Sequence, residues 1–189
     1  NFWSAGVGIC IAIALIRGPD GSDFGYFDVE QAIAIGRSPL KNQGPAAIRP
    51  WFEYALERDP MNSEAAIELA NTLYHLDEGA QALELLQNAI ERNPRNPLLW
   101  EEVAKLYCLA GKWELATRCF QKSEEIAPYR YERLLKWADA LVRLRQYPRA
   151  LKPIDRYLAT IPDDPEALAL REKILANLPA KPEPIPEPE

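Results

Sequence analysis

Four prolines recur along this chain at a constant interval. Pro60, Pro94, Pro128 and Pro162 are each separated by 34 residues, and each precedes a new apolar run. A fixed period of this length predicts stacked helical units, because each unit buries its apolar face only against its neighbours. Proline lacks an amide proton and disfavours helix in the residue before it. We therefore expect each proline to end one pair of helices and to precede the next.

The clearest unit spans residues 97–130. Its apolar residues follow helical spacing in two segments joined by a short polar turn. The first segment contributes Leu99, Trp100, Val103, Leu106, Tyr107 and Leu109, and the second contributes Trp113, Ala116, Phe120 and Ser123. Gly111 lies between them, and we expect a tight turn there in which a side chain would crowd its neighbour. Ala116 is small where the two helices should cross.

Eight residues of this unit resemble the tetratricopeptide repeat signature in order and spacing: Trp100, Val103, Ala104, Tyr107, Gly111, Ala116, Phe120 and Pro128. Residues 63–96 carry a similar set, namely Leu69, Ala70, Leu73, Gly79, Ala82, Leu86, Ala89 and Pro94. Residues 131–164 carry Leu134, Trp137, Ala138, Leu141, Ala150, Ile154 and Pro162, with Arg145 in the place of Gly111. The resemblance implies an all-α fold, a right-handed α-solenoid of about 3.5 helix-turn-helix repeats with an end cap.

The ends of this solenoid are less regular. Residues 29–62 form a degenerate repeat, because Pro39, Gly44 and Pro45 interrupt the expected helices, and only the second helix, at about 46–58, is clear. Residues 165–178 should form a capping helix with Pro165 at its first position after a capping Asp164. Its expected inner face is Leu168, Leu170, Ile174 and Leu178, and its expected outer face is Glu166, Glu172, Lys173 and Asn177. Residues 179–189 hold five prolines and suit either a polyproline II rod or a solvated tail.

The N-terminal segment suggests a membrane contact. Residues 2–16 carry no charge and are followed by Arg17 and a Gly- and Asp-rich linker at 18–28. We interpret 1–17 as a single transmembrane helix, although it is shorter than the ~20 residues of a full span. Small residues recur four apart in two rows, Ser4, Gly8 and Ala12, and Gly6, Cys10 and Ala14, which suits close packing on an intramembrane partner. The alternative is a buried strand, because large and small residues alternate around Cys10.

Composition excludes several classes of function. The net charge of −6 argues against nucleic acid as a partner. A single histidine, His75, leaves little room for histidine catalysis or a zinc site, and no phosphate-binding glycine loop is present. The sequence therefore predicts no enzyme, metal, cofactor or small-molecule substrate. The carboxylate pairs Glu124–Glu125 and Asp163–Asp164 fall near helix ends, where solvation and capping account for them.

The cysteines leave one question open. Cys108 and Cys119 lie on successive helices of one repeat and could approach each other. Three cysteines do not make a disulfide framework. Buried reduced thiols and a disulfide between these two residues remain alternatives at this stage.

The resemblance also implies where partners bind. In this family the first helices of the repeats line a groove that holds extended peptides or helices of other proteins. Here the groove residues would be Asn71, Tyr74, His75, Glu101, Lys105, Cys108, Lys136, Asp139 and Arg143. The basic strip of Lys105, Lys136 and Arg143 could hold carboxylates, although the same residues could simply be solvated. Ile67 and Glu102 replace the Lys and Asn that relatives use to bind chaperone tails, which argues against that ligand.

Two functional hypotheses follow. The first is a single-pass membrane protein that acts as an accessory subunit of a larger membrane complex, with its repeats outside the cytoplasm. The second is an assembly factor that binds client segments transiently in the groove. A soluble adaptor whose first residues form a buried strand is a third, weaker interpretation. In each case the partners are other proteins.

Overall fold

The computed structural model describes residues 27–38 and 44–178. Within these residues the chain forms nine helices and no strand. They are α1 (Val29–Arg37), α2 (Pro45–Arg58), α3 (Ser63–His75), α4 (Gly79–Arg92), α5 (Pro97–Leu109), α6 (Trp113–Ile126), α7 (Leu134–Arg143), α8 (Tyr147–Thr160) and α9 (Pro165–Ala176). The prediction of an all-helical chain of helical hairpins is therefore confirmed for this part of the sequence.

The chain divides into two compact units, residues 1–93 and 94–189. In the first unit α1 packs on α2, α2 on α3 and α3 on α4. In the second unit α5 packs on α6, α6 on α7, α7 on α8 and α8 on α9. Neighbours in sequence are thus neighbours in space within each unit, as expected of a repeat protein.

The periodic prolines act as predicted. Each lies two residues beyond the last residue of α2, α4, α6 or α8. The residues just before them are Asp59, Asn93, Ala127 and Ile161, all outside the helical region, with φ between −129° and −140°. Their amides close the four helices with identical 2.9 Å bonds to the carbonyls four residues earlier. The residue before each proline thus leaves the helix, which is why the hairpins end at a fixed period.

The turns inside the hairpins share a left-handed residue. Asp77, Gly111 and Arg145 have φ of 62°, 69° and 57° and lie 34 residues apart. In the repeat at 63–96, Asp77 is the residue that corresponds to Gly111. The signature residue Gly79 is instead the first residue of α4. The expected crowding at Gly111 is also wrong, because an added Cβ would meet no described atom within 4 Å. Glycine suits this position because of its positive φ.

The degenerate first repeat still forms two helices. Asp28 Oδ1 accepts a hydrogen bond from the Gln31 backbone amide, and Gln31 Oε1 accepts one from the Asp28 backbone amide, so α1 begins with a capping box. Pro45 occupies the first turn of α2, where its missing amide proton costs nothing. Gly36 is packed tightly, since a Cβ there would lie 2.6 Å from the Phe52 ring. The second helix, expected at about 46–58, is confirmed at Pro45–Arg58.

One repeat begins differently from the others. Asn62, Asn96 and Asp164 each accept an amide hydrogen bond and begin α3, α5 and α9. The equivalent residue before α7 is Arg130, whose side chain has no oxygen that could accept a hydrogen bond from the helix amides. Accordingly α7 begins only at Leu134, and Arg133 at its N-cap makes no capping bond.

The last helix buries Ile174 and packs Leu170 against the core as predicted, but Leu168 does not share this face. Asp164 and Pro165 begin α9 as expected. The fully buried residues are Ala167 and Ile174, whereas Leu168 is 43% exposed. Successive residues point about 100° apart on a helix, so Leu168 cannot share the face of Ala167. Leu109, assigned to the apolar stripe of α5, is likewise 62% exposed, because it is the last residue of that helix.

Several predicted segments lie outside the described residues. They are the transmembrane helix at 1–17 with Ser4, Gly6, Gly8, Cys10, Ala12 and Ala14, the linker apart from its last two residues, and the tail at 179–189. Across residues 27–38 and 44–178, every helix falls short of the length and apolar character that a membrane span requires. The N-terminal anchor therefore stays a prediction.

Candidate functional site

In the second unit, six predicted partner-binding residues lie on α5 and α7. On α7, Lys136, Asp139 and Arg143 are spaced by three and four residues and share a face. The pKa of the Cys108 thiol is raised to about 11, mainly by burial and also by the charge of Asp139, while Lys136 partly opposes this rise. These charges therefore lie around Cys108, and the structure brings the predicted residues of α5 and α7 together.

Arg143 is held in place rather than freely solvated. Its guanidinium carbon lies 5.2 Å from the centre of the Trp113 ring, and its Nε lies 3.5 Å from Asp139 Oδ1. The Arg143 side chain is still 56% exposed, so its outer face is open to a ligand. A cation stacked on an aromatic ring keeps its direction at low entropic cost.

Lys105 and Lys136 differ in their availability. Lys105 is paired with Glu102 one helical turn away, which neutralises its charge locally. Lys136 is exposed, and within the described residues it forms no ion pair. The cations that this surface offers to a partner are therefore Lys136 and Arg143. We call the surface formed by Lys105, Cys108, Lys136, Asp139 and Arg143 the first-helix face.

Glu101 does not belong to this face. The residue is 3% exposed, and its carboxylate accepts hydrogen bonds from Ser123 Oγ at 2.7 Å and Arg130 Nε at 3.1 Å. Arg133 Nη1 lies 3.5 Å from the same oxygen. The prediction that Glu101 lines a groove is therefore wrong. Its register suggested exposure, but two arginines beyond Pro128 fold back and enclose it.

These arginines form a buried ion cluster across the repeat junction. Glu124 accepts from Arg133 and Arg156, and Arg133 Nη2 also donates to the Ala127 carbonyl at 2.9 Å. The Arg133 side chain is completely buried. The cluster joins α5, α6, α7 and α8, so its role is structural. The solvated interpretation of Glu124 is wrong.

Sequence reasoning missed this cluster, although one signal was present. Arg130 stands where the other repeats carry a capping Asn or Asp, as in Asn96 and Asp164. A cation cannot cap a helix N-terminus, so another role for Arg130 was to be expected. The pair Glu125–Lys122, by contrast, is exposed, and the hydrogen bond from Lys122 lowers the pKa of Glu125.

The first unit carries the other predicted residues. Asn71, Tyr74 and His75 lie on α3, and all three are exposed. The rings of Tyr74 and His75 meet edge to face with centroids 5.9 Å apart. With Asp77 and Gly79 they line an open cavity of about 350 Å³ at the end of α3. This surface is aromatic and polar.

The two described cysteines are protonated thiols rather than a disulfide. Cys108 and Cys119 are free thiols. Burial, with a contribution from Cys108, raises the pKa of Cys119 to about 11, so both thiols are protonated at neutral pH. Among the described residues there is also no group of three or more His, Cys, Asp or Glu side chains that could hold a metal ion.

Comparisons with known proteins agree with this architecture. A family model described as tetratricopeptide repeat matches residues 43–106. PilF from Pseudomonas aeruginosa superposes with a TM-score of 0.70 at 17% identity, over 78% of this chain and 68% of PilF. The tetratricopeptide repeat protein TTC0263 from Thermus thermophilus gives a TM-score of 0.64 at 19% identity, over 92% of each chain. The structural similarities establish the fold, and the family model supports a tetratricopeptide repeat over the residues that it matches.

Two further similarities cover less than a third of the related protein. The Cut9–Hcn1 hetero-tetramer of the APC/C contains a chain that superposes with a TM-score of 0.67 at 12% identity, over 78% of this chain and 30% of that one. Protein FlbA from Caulobacter vibrioides is 25% identical over 144 residues, which are 76% of this chain and 24% of FlbA. This chain thus spans about a quarter of the length of that relative.

Proposed function

We propose that this protein is a scaffold that holds another protein through the first-helix face of its second unit. The observation that carries the proposal is the pair of exposed cations on α7, with Arg143 fixed on Trp113 and Lys136 free of ion pairs among the described residues. Such fixed cations suit carboxylate groups of a bound segment. The fold is typical of non-enzymatic scaffolds, and Asn71, Tyr74 and His75 supply a second polar surface on the first unit.

At a finer level, we propose an accessory subunit of a membrane complex. Residues 2–16 would anchor it, with the small residues at positions 4, 6, 8, 10, 12 and 14 packed against an intramembrane partner and the repeats outside the cytoplasm. The similar chain of the Cut9–Hcn1 structure belongs to a hetero-tetramer, which is consistent with a role as a subunit. The alternative is an assembly factor that binds its clients transiently through the same face.

Native extraction distinguishes these two roles. The full chain is extracted in mild detergent and passed over a size-exclusion column, and co-eluting proteins are quantified by mass spectrometry. An accessory subunit elutes in a large complex of constant composition. An assembly factor elutes with several clients in substoichiometric amounts. Elution as a free monomer would contradict both roles.

A matched pair of double variants tests the binding face itself. Lys136→Gln with Arg143→Gln removes two exposed cations from the first-helix face. Arg118→Gln with Lys152→Gln removes two exposed cations from α6 and α8, the second helices of the two repeats in this unit. We expect the partner to be lost only from the first double variant. Equal retention of the partner by both would show that this face does not bind it.

A further inference from the structure

The tight turns of the two hairpins in the second unit lie side by side. Arg143 is the last residue of α7 and Trp113 is the first of α6, and their contact places the α5–α6 turn beside the α7–α8 turn. Around this contact the chain presents Leu109, Lys112, Trp113, Arg143, Arg145 and Arg149. We call this surface the turn edge. It is centred on the turns rather than on the helix surfaces that carry the proposed function.

The turn edge is positively charged within an acidic protein. Lys112, Arg145 and Arg149 are exposed, and within the described residues none of them pairs with a carboxylate. Arg149 donates instead to the Gln146 side chain at 2.7 Å. With Arg143 these cations outnumber the two nearby carboxylates, Glu114 and Asp139, by two, although the whole chain carries −6.

The α3–α4 turn of the first unit lacks this positive charge. In the first unit the equivalent turn carries Asp77 and Glu78 where Gly111 and Lys112 stand. The repeat therefore does not require basic residues in its turns. Leu109, 62% exposed, adds an apolar contact beside the cations. A surface that combines apolar and basic groups is more typical of a recognition site than of a solvated turn.

We propose that the turn edge binds an acidic, extended segment of a partner protein that also carries an apolar side chain. Three of its four cations are arginines, whose planar guanidinium groups pair two-pronged with individual carboxylates. Arg143 is oriented by Trp113, and the left-handed backbone at Arg145 is fixed by its turn. Fixed arginines select discrete carboxylates. An anionic membrane instead attracts positive charge without a fixed geometry. It would also repel this chain, whose net charge is negative.

The test uses two synthetic peptides with the full-length chain. One is a fluorescein-labelled Gly-Ser peptide that carries spaced glutamates and one leucine, and the other has glutamine at every glutamate position. Fluorescence anisotropy should show binding of the glutamate peptide only. Binding should weaken as the salt concentration rises from about 0.05 M to about 0.5 M, because ions screen exposed charges.

Double variants locate the interaction. Lys112→Gln with Arg145→Gln should weaken binding by roughly tenfold, the loss of about two charge-assisted contacts at an exposed site. Arg118→Gln with Lys152→Gln makes the same change in net charge on exposed parts of α6 and α8 and should leave binding unchanged. Circular dichroism verifies that both variants fold.

Three results would overturn the proposal. They are equal affinity for the glutamate and glutamine peptides, equal loss in both double variants, and binding to phosphatidylserine vesicles that depends on Lys112 and Arg145 while neither peptide binds. The proposed function is tested separately by Lys136→Gln alone, because Lys136 lies outside the turn edge and is intact in the Lys112 and Arg145 variants. Failure of one proposal is thus distinguishable from failure of the other.

Discussion

Replacing Arg133 with methionine tests the buried ion cluster. The Arg133 side chain is completely buried and contacts Glu101, Glu124 and the Ala127 carbonyl. Methionine fills a similar volume but removes the hydrogen bonds that Arg133 donates to these acceptors. Removing one partner of a buried ion pair costs about 3–5 kcal/mol, because the remaining charge stays desolvated.

The structure places the expected loss at the lower end of that range. Glu101 keeps Arg130 and Glu124 keeps Arg156, so neither carboxylate becomes wholly unpaired. The Nε of Arg133 has no acceptor among the described residues, and its removal relieves one unsatisfied donor. We therefore expect the free energy of unfolding to fall by about 3 kcal/mol.

Urea denaturation followed by tryptophan fluorescence measures this loss. The transition midpoint should fall while the slope stays constant, because a stability change alone does not alter the surface exposed on unfolding. Arg143→Met removes an exposed arginine of the same helix and should cost less than about 1 kcal/mol. Adding Glu101→Gln to Arg133→Met should cost less than the sum of the single variants, because the two residues share one network. If Arg133→Met is instead more stable than the native protein, this expectation is wrong. The desolvation of Arg133 would then cost more free energy than its ion pairs contribute.

Three other changes test local features. Gly111→Ala should destabilise the protein by about 1 kcal/mol through its positive φ alone, and an unchanged melting curve would contradict this. Gly36→Ala places a methyl against the Phe52 ring and should cost about 1–3 kcal/mol in thermal unfolding, whereas no loss would show that the ring moves freely. Cys108 and Cys119 have a raised pKa of about 11, so their stabilising contribution is intact below pH ~9 and is lost as pH rises through 11. Between pH 8 and 12 the loss of stability should be larger in the native protein than after both thiols are replaced by alanine.

Local backbone rules made much of the fold predictable. The ends of the second helices follow from the residue before each proline, and Asp164 and Pro165 mark the start of α9 in the same way. The position of the turn at Gly111 was also readable from sequence, because it depends on a few neighbouring residues. The exposure of Leu168 was not, since amphipathic spacing shows that a helix has an inner face but leaves its rotation to packing.

The candidate site was less predictable, because its partners are distant in sequence. Glu101 lies 22 residues from Ser123 and 32 from Arg133, and only tertiary packing brings them together. The contact of Arg143 with Trp113 likewise depends on how α7 packs on α6. A helical register places a residue on a face, but it does not reveal which residues of the next repeat will cover that face.

Site-specific photo-crosslinking tests the central claim most directly. A photoreactive amino acid is placed at Lys136, on the first-helix face, or at Lys152, on α8 of the same repeat. Each chain is irradiated in its native cells, and the products are identified and quantified by mass spectrometry. We expect one partner protein to be crosslinked at constant stoichiometry from position 136 and to be absent from position 152. The same products from both positions, or none from position 136, would contradict it.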